Sequence, residues 1–160
     1  MNRAIFLDRD GVILTTTQPI TRTEDIGLER GTAEGINLLN KLDMKVIVVS
    51  NQPQVAKGFC TEEDVRKINA EIVRILSEQG ARIDAVYYCP HHPEQRKDIP
   101  DWAQKYRIDC SCRKPKTGML DSAAGGQGID LKSSFLVGDR TVDILAGKNA
   151  GCKTILVKTG

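Results

Sequence analysis

Aromatic residues are scarce: three phenylalanines, three tyrosines and one tryptophan make up 4% of 160 positions. So few rings leave no stacking platform for single-stranded nucleic acid. Charge of one sign is lacking as well. Lysine plus arginine 23 against acids 21 leaves a formal +2, too little for the basic field that a phosphate backbone attracts. No apolar run approaches the roughly 20 residues of a membrane span. Met1 leads almost directly into the first strand pattern, so no signal peptide is expected. Internal repeats, low-complexity tracts and linkers are also missing. What remains is 40% hydrophobic and 28% charged, the usage of a globular chain. Its length predicts a single domain over residues 1–160. A cytoplasmic monomer without nucleic-acid or membrane partners is expected.

The five cysteines are an odd number, which without a secretory signal predicts reduced thiols. Both histidines, His91 and His92, lie between two of them, Cys89 and Cys110.

Five apolar runs read as strands: Ala4 to Leu7, Lys45 to Val49, Ala85 to Tyr88, Ser134 to Val137 and Thr154 to Val157. Continuous runs without clean alternation predict strands buried on both faces. Helical patterns lie between them, over Thr32 to Lys41, Thr61 to Gln79, Thr117 to Ala124 and Val142 to Ala150. The second opens Thr61-Glu62-Glu63-Asp64, an N-cap residue with an acid three places on, and Gly80 closes it. This alternation predicts an α/β fold, a parallel sheet with helices on both faces. From Cys89 to Arg113 periodicity fails, and Pro90, Pro93 and Pro100 exclude a long helix. A structureless stretch of about 20 residues calls for a function or a staple.

Ligands of open α/β sheets bind at the carboxyl ends of strands. The first strand ends in Asp8-Arg9-Asp10-Gly11, the second in Ser50-Asn51-Gln52, and the fourth in Gly138-Asp139-Arg140 with Asp143 one turn on. Singly, each could be a turn. Together, three carboxylates brought close would repel unless a hard cation such as Mg²⁺ neutralised them.

Asp8-x-Asp10-Gly11-Val12, Ser50-Asn51, a lysine ahead of the last motif and Gly138-Asp139-x-x-x-Asp143 resemble, in order and spacing, the four motifs of the haloacid dehalogenase superfamily of phosphohydrolases. Tyr87-Tyr88-Cys89-Pro90-His91-His92-Pro93 and Cys110-x-Cys112-Arg113-Lys114-Pro115 are similar, more narrowly, to the heptose 1,7-bisphosphate phosphatases and the related histidinol-phosphate phosphatases. The resemblance implies a three-layer Rossmann-like fold without a cap, because the stretch between Asp8 and Ser50 already holds a helix of the sheet. It implies a Mg²⁺-dependent phosphomonoesterase acting on a small phosphorylated metabolite, a heptose 1,7-bisphosphate-type sugar phosphate first and histidinol phosphate second. Asp8 would be the nucleophile that forms an aspartyl-phosphate, and Asp10 the general acid and then base. Asp8, the Asp10 carbonyl and Asp139 would hold magnesium. Ser50 and Lys114 would hold the phosphoryl oxygens, with Asn51, Arg113 and Arg140 on the substrate. Lys116 rivals Lys114, but the family's Arg-Lys-Pro run aligns on Lys114. Asp143 would support the metal's surroundings or cap the next helix. Departures fall near Leu14 and Pro19, where heptose phosphatases carry an asparagine and an aromatic, and at Pro53-Gln54, where small residues are usual.

Cys89-x-His91 and Cys110-x-Cys112 make a four-ligand set suited to structural Zn²⁺, bracketing the aperiodic insert of residues 89–113. His92 competes with His91, which the resemblance favours. The expected task of the zinc is to fix the loop that delivers Arg113 and Lys114. Cys60 and Cys152 read as packing or surface residues. Two other functions are conceivable: a polynucleotide 3′-phosphatase, opposed by the neutral charge and few aromatics, and a zinc-stabilised binding protein, opposed by the complete catalytic set.

Overall fold

The computed structural model describes residues 1–160. Five strands, β1 (Ala4–Leu7), β2 (Lys45–Asn51), β3 (Ala85–Cys89), β4 (Phe135–Gly138) and β5 (Lys153–Leu156), form one parallel sheet in the order β3-β2-β1-β4-β5. The helices are α1 (Thr32–Lys41), α2 (Glu62–Glu78), α3 (Asp101–Gln104), α4 (Gly118–Gln127) and α5 (Thr141–Ala150). No helix is long and apolar enough to cross a membrane.

Alternation along the central strands divides the core into two layers. Ile5 and Leu7 of β1, with Val46 and Val48 of β2, pack against Ile36 of α1 and Ile68, Ile72 and Leu76 of α2. Ala4 and Phe6, with Ile47 and Val49, face the other way onto Leu120 and Ala123 of α4 and Ala146 of α5. Burial on both faces holds for β1 and nearly all of β2 and β4, but not for the outer strands. β3 is half-buried along most of its length, and Ile155 and Leu156 of β5 are exposed. Both lie at sheet edges, where one side of the ladder has no neighbour.

α2 starts as its sequence implies: Thr61 Oγ1 accepts from the Asp64 backbone N–H at 3.2 Å, and Asp64 accepts from that of Thr61 at 2.8 Å. The aperiodic insert contains one short helix, α3, which begins directly after Pro100.

Chain order runs outward from β1 through β2 to β3, then returns to β4 on the other side of β1. The sheet therefore has its switch point between β1 and β4, and a crevice opens beyond their carboxyl ends.

Candidate active site

The crevice is a cleft of about 580 Å³ lined almost wholly by polar and charged side chains. Asp8 and Asp10 enter it from the end of β1, Asp139 and Arg140 from the end of β4, Asp143 from α5, and Arg113 and Lys114 from the last residue of the insert and the one after it. Glycine permits this convergence at two points. A Cβ on Gly11, whose φ is +82°, would overlap the Asp139 carboxylate, and one on Gly138 would overlap Asp143.

Lys114 is the buried centre of the site. Its Nζ donates to Asp8 Oδ1 at 2.9 Å, to Asp143 Oδ1 at 2.6 Å and to the Val49 carbonyl at 2.8 Å, using all three protons. Burial pulls the ammonium down, but Asp8 and Asp143 outweigh it and its pKa is raised. Burial pushes Asp8 and Asp143 up in spite of Lys114. These directions conflict only in appearance: one ammonium cannot neutralise two buried carboxylates, so the pocket is short of positive charge.

Asp8, Asp139 and Asp143 each offer a carboxylate oxygen, and the three lie within 4.8 Å of one another. Asp139 Oδ1 is buried without a hydrogen-bond partner. A hard divalent cation fits this set of oxygens and would supply the missing charge. Asp143 is otherwise engaged, since Oδ1 takes Lys114 and Oδ2 caps α5 by accepting from the Arg140 backbone at 3.1 Å. Asp8 and Asp139 are left as the carboxylates with free lone pairs. The Asp10 side chain stands outside this trio and turns to Arg9 and Gln52.

The Ser50 hydroxyl, at the end of β2, is fully buried with no protein partner. Asn51 lines the cleft, yet its amide is occupied. Oδ1 accepts from the Lys114 backbone at 2.9 Å and Nδ2 donates to the Lys114 carbonyl at 3.1 Å. Asn51 thus holds the Lys114 backbone. Arg113 and Arg140 both line the cleft, Arg113 donating to the His91 carbonyl at 3.3 Å and Arg140 to that of Thr17 at 3.1 Å. Lys116 turns away, bonded to Asp109 and to the Cys110 carbonyl.

Sequence reasoning missed Lys57 and His92 on the cleft wall, and the wholly buried Arg9 beside Asp10. The one signal for Arg9 was its place between two strand-end acids. Of the departing positions, Pro19 and Pro53 line the cleft, whereas Leu14 is buried in the core and concerns packing instead.

The thiols of Cys89, Cys110 and Cys112 and Nδ1 of His91 form a tight cluster. Cys89 Sγ lies 3.6 Å from His91 Nδ1, 3.5 Å from Cys110 Sγ and 3.0 Å from Cys112 Sγ. Four atoms about 2.0–2.3 Å from a tetrahedral zinc stand roughly 3.4–3.8 Å apart, so the set fits that ion after slight expansion. Its hydrogen bond with Cys89 and, after that, the one with His91 pull the Cys112 thiol down, while the contact with Cys112 pushes Cys89 up. The backbone N–H of Arg113 points at Cys110 Sγ, 3.4 Å away, the kind of outer contact that orients a metal-bound sulfur. Cys60 and Cys152 are buried elsewhere in the core.

A family model described as HAD-hydrolase-like matches residues 111–160. The chain is 37% identical to the D-glycero-beta-D-manno-heptose-1,7-bisphosphate 7-phosphatase of Pasteurella multocida, covering 100% of the chain and 84% of that relative. Against the protein of the same name from Rhodopseudomonas palustris the identity is 39%, over 92% of the chain and 79% of the relative. A solved D,D-heptose 1,7-bisphosphate phosphatase from B. bronchiseptica, complexed with magnesium and phosphate, superposes with a TM-score of 0.85. That match has 30% identity and spans 99% of this chain and 82% of the other.

Proposed function

Since the chain belongs to the haloacid dehalogenase-like hydrolases, and its relatives within them are phosphatases, we propose that it hydrolyses the 7-phosphate of a heptose 1,7-bisphosphate through an aspartyl-phosphate on Asp8. The observation that carries this reading is Lys114. A buried ammonium from the residue just after the insert bridges Asp8 beside β1 and Asp143 of α5, with Asp139 after β4 beside them.

Phosphoryl transfer is mainly positioning and charge neutralisation, and this pocket supplies both. Asp8 and Asp139, with the Asp10 carbonyl, would hold Mg²⁺, which when bound offsets the charge of the phosphoryl oxygens. The Asp8 carboxylate bonds to phosphorus as the bond to the sugar oxygen breaks, and Asp10 gives that oxygen its proton. Water then attacks phosphorus, its proton passes to Asp10, and the bond to Asp8 breaks. Lys114 faces the transferring group as a fixed positive charge, and the orphan Ser50 hydroxyl is free to donate to it.

Three cations, Lys57, Arg113 and Arg140, stand around the same cleft. They suit a second anionic group on the substrate and disfavour the positively charged amine of histidinol phosphate. The Cys89, His91, Cys110 and Cys112 set is read as a closed zinc site that shapes the insert.

A panel of phosphorylated metabolites assayed with Mg²⁺, including heptose 1,7-bisphosphate and histidinol phosphate, tests the substrate. Heptose 1,7-bisphosphate is expected to give the highest kcat/KM. Asp8→Asn is expected to lower turnover by about 10⁴-fold or more, as loss of a nucleophile does elsewhere. Normal turnover by that variant contradicts the covalent route.

A further inference from the structure

Arg9 is the bulkiest fully buried side chain in the molecule, and the hydrolytic scheme above gives it no task. An enclosed guanidinium needs an acceptor for nearly every donor. Its Nε donates to Asp10 Oδ1 at 3.1 Å, and Nη2 reaches Asp10 Oδ2 at 3.3 Å and Gln52 Oε1 at 2.7 Å. At its far end Nη1 donates to Asn69 Oδ1 on α2 at 3.0 Å. Gln52 closes the ring by donating from Nε2 to Asp10 Oδ2 at 2.9 Å, and Gln54 in turn donates to Gln52 Oε1.

The two oxygens of Asp10 are therefore not equivalent. Oδ2 receives two donors, which take up both of its lone pairs, whereas Oδ1 receives one. The terminal torsion of an aspartate is soft, so a free carboxylate would sweep many orientations. A two-point contact with a rigid guanidinium that is itself tied to α2 and to the segment after β2 removes that freedom.

We propose that Arg9 is a positioning residue for proton transfer. Held by Asn69 and Gln52, it fixes the plane of the Asp10 carboxyl so that Oδ1 carries the proton. In the first half-reaction the proton on Oδ1 passes to the alcohol oxygen as its bond to phosphorus breaks. In the second, a water proton returns to Oδ1 as the water oxygen bonds to phosphorus and the bond to Asp8 breaks. The inference rests on the assignment of Asp10 as proton carrier in the proposed hydrolysis.

The test compares kcat/KM for two substrates, a sugar phosphate and p-nitrophenyl phosphate. Departure of a sugar alkoxide needs a proton, whereas nitrophenolate leaves without one, and kcat/KM reports the steps through that departure. Arg9→Lys keeps the charge and loses the fork. It is expected to lower kcat/KM for the sugar phosphate by about 10²-fold while p-nitrophenyl phosphate changes by no more than about threefold. Asn69→Ala frees only the far end of Arg9 and is expected to give the same split at about tenfold. If R9K does not fold, N69A decides. Equal losses on both substrates, as a purely structural role would give, or no loss on either, overturn the proposal. A wild-type protein that releases phosphate from neither substrate fails the hydrolase reading itself. An active wild type whose variants lose both substrates alike fails only the role given to Arg9.

Discussion

Asp8 and Asp143 share a single buried ammonium, and burial outweighs its pull on both carboxyls. Both have pKa values raised above the ordinary 3.8. Without a cation, the folded chain therefore binds protons more tightly than the unfolded one. Their contribution to stability is full below 3.8 and fades as pH rises through the folded values. Magnesium acts in the opposite sense, because it takes the ionised form and must compete with protons. At one fixed Mg²⁺ concentration, the rise in Tm on adding the ion is expected to be larger at about pH 8 than at about pH 5. Equal shifts at the two pH values would contradict an acidic site at Asp8 and Asp139. The acids themselves were legible in the sequence because each follows an apolar strand. Arg9 and Asn69 were not, since a buried polar pair 60 positions apart looks the same in sequence as two solvated residues.

Elements were easier to read than contacts. Apolar runs marked all five strands, and Thr61 with Asp64 marked the start of α2. Edge exposure was not legible, because a run of β-branched residues says nothing about whether a neighbour lies on each side. The junction of β4 with α5 shows how tightly an element boundary can constrain the site. Gly138 sits where a Cβ would overlap the Asp143 side chain, whereas Gly35 of α1 has open space around its missing Cβ. Gly138→Ala is expected to destabilise the protein by about 1–3 kcal/mol through overpacking. It should also lower turnover, since the displaced Asp143 is a partner of Lys114. Gly35→Ala is expected to stabilise by about 0.5–1 kcal/mol, the helix-propensity gain, without affecting turnover. Urea unfolding and phosphate release on the two variants check this contrast; similar effects from both would remove the steric argument at the junction.

Across the whole molecule, the insert and the sheet divide control of the cleft. The sequence suggested that zinc would deliver both Arg113 and Lys114, since they follow Cys112 directly. The contacts separate them. Lys114 is fastened by the sheet and its neighbours, through Asn51 on its backbone and Asp8, Asp143 and the Val49 carbonyl on its ammonium. Arg113 depends on the Cys/His cluster, with its N–H on Cys110 Sγ and its guanidinium on the His91 carbonyl. A zinc held by this cluster would fix the insert, and its loss would leave Arg113 without a fixed position while Lys114 keeps its partners. Cys112→Ser is therefore expected to raise KM for a bisphosphate by about tenfold, the scale of one charge-assisted contact, with a much smaller change in kcat. For a monophosphate, which has no second anion for Arg113 to hold, KM should change little. Zinc content measured on the same preparation ties the effect to the metal. A collapse of kcat with KM unchanged would mean that the cluster governs Lys114 after all, and that its contacts with Asn51 and the sheet do not suffice to hold it.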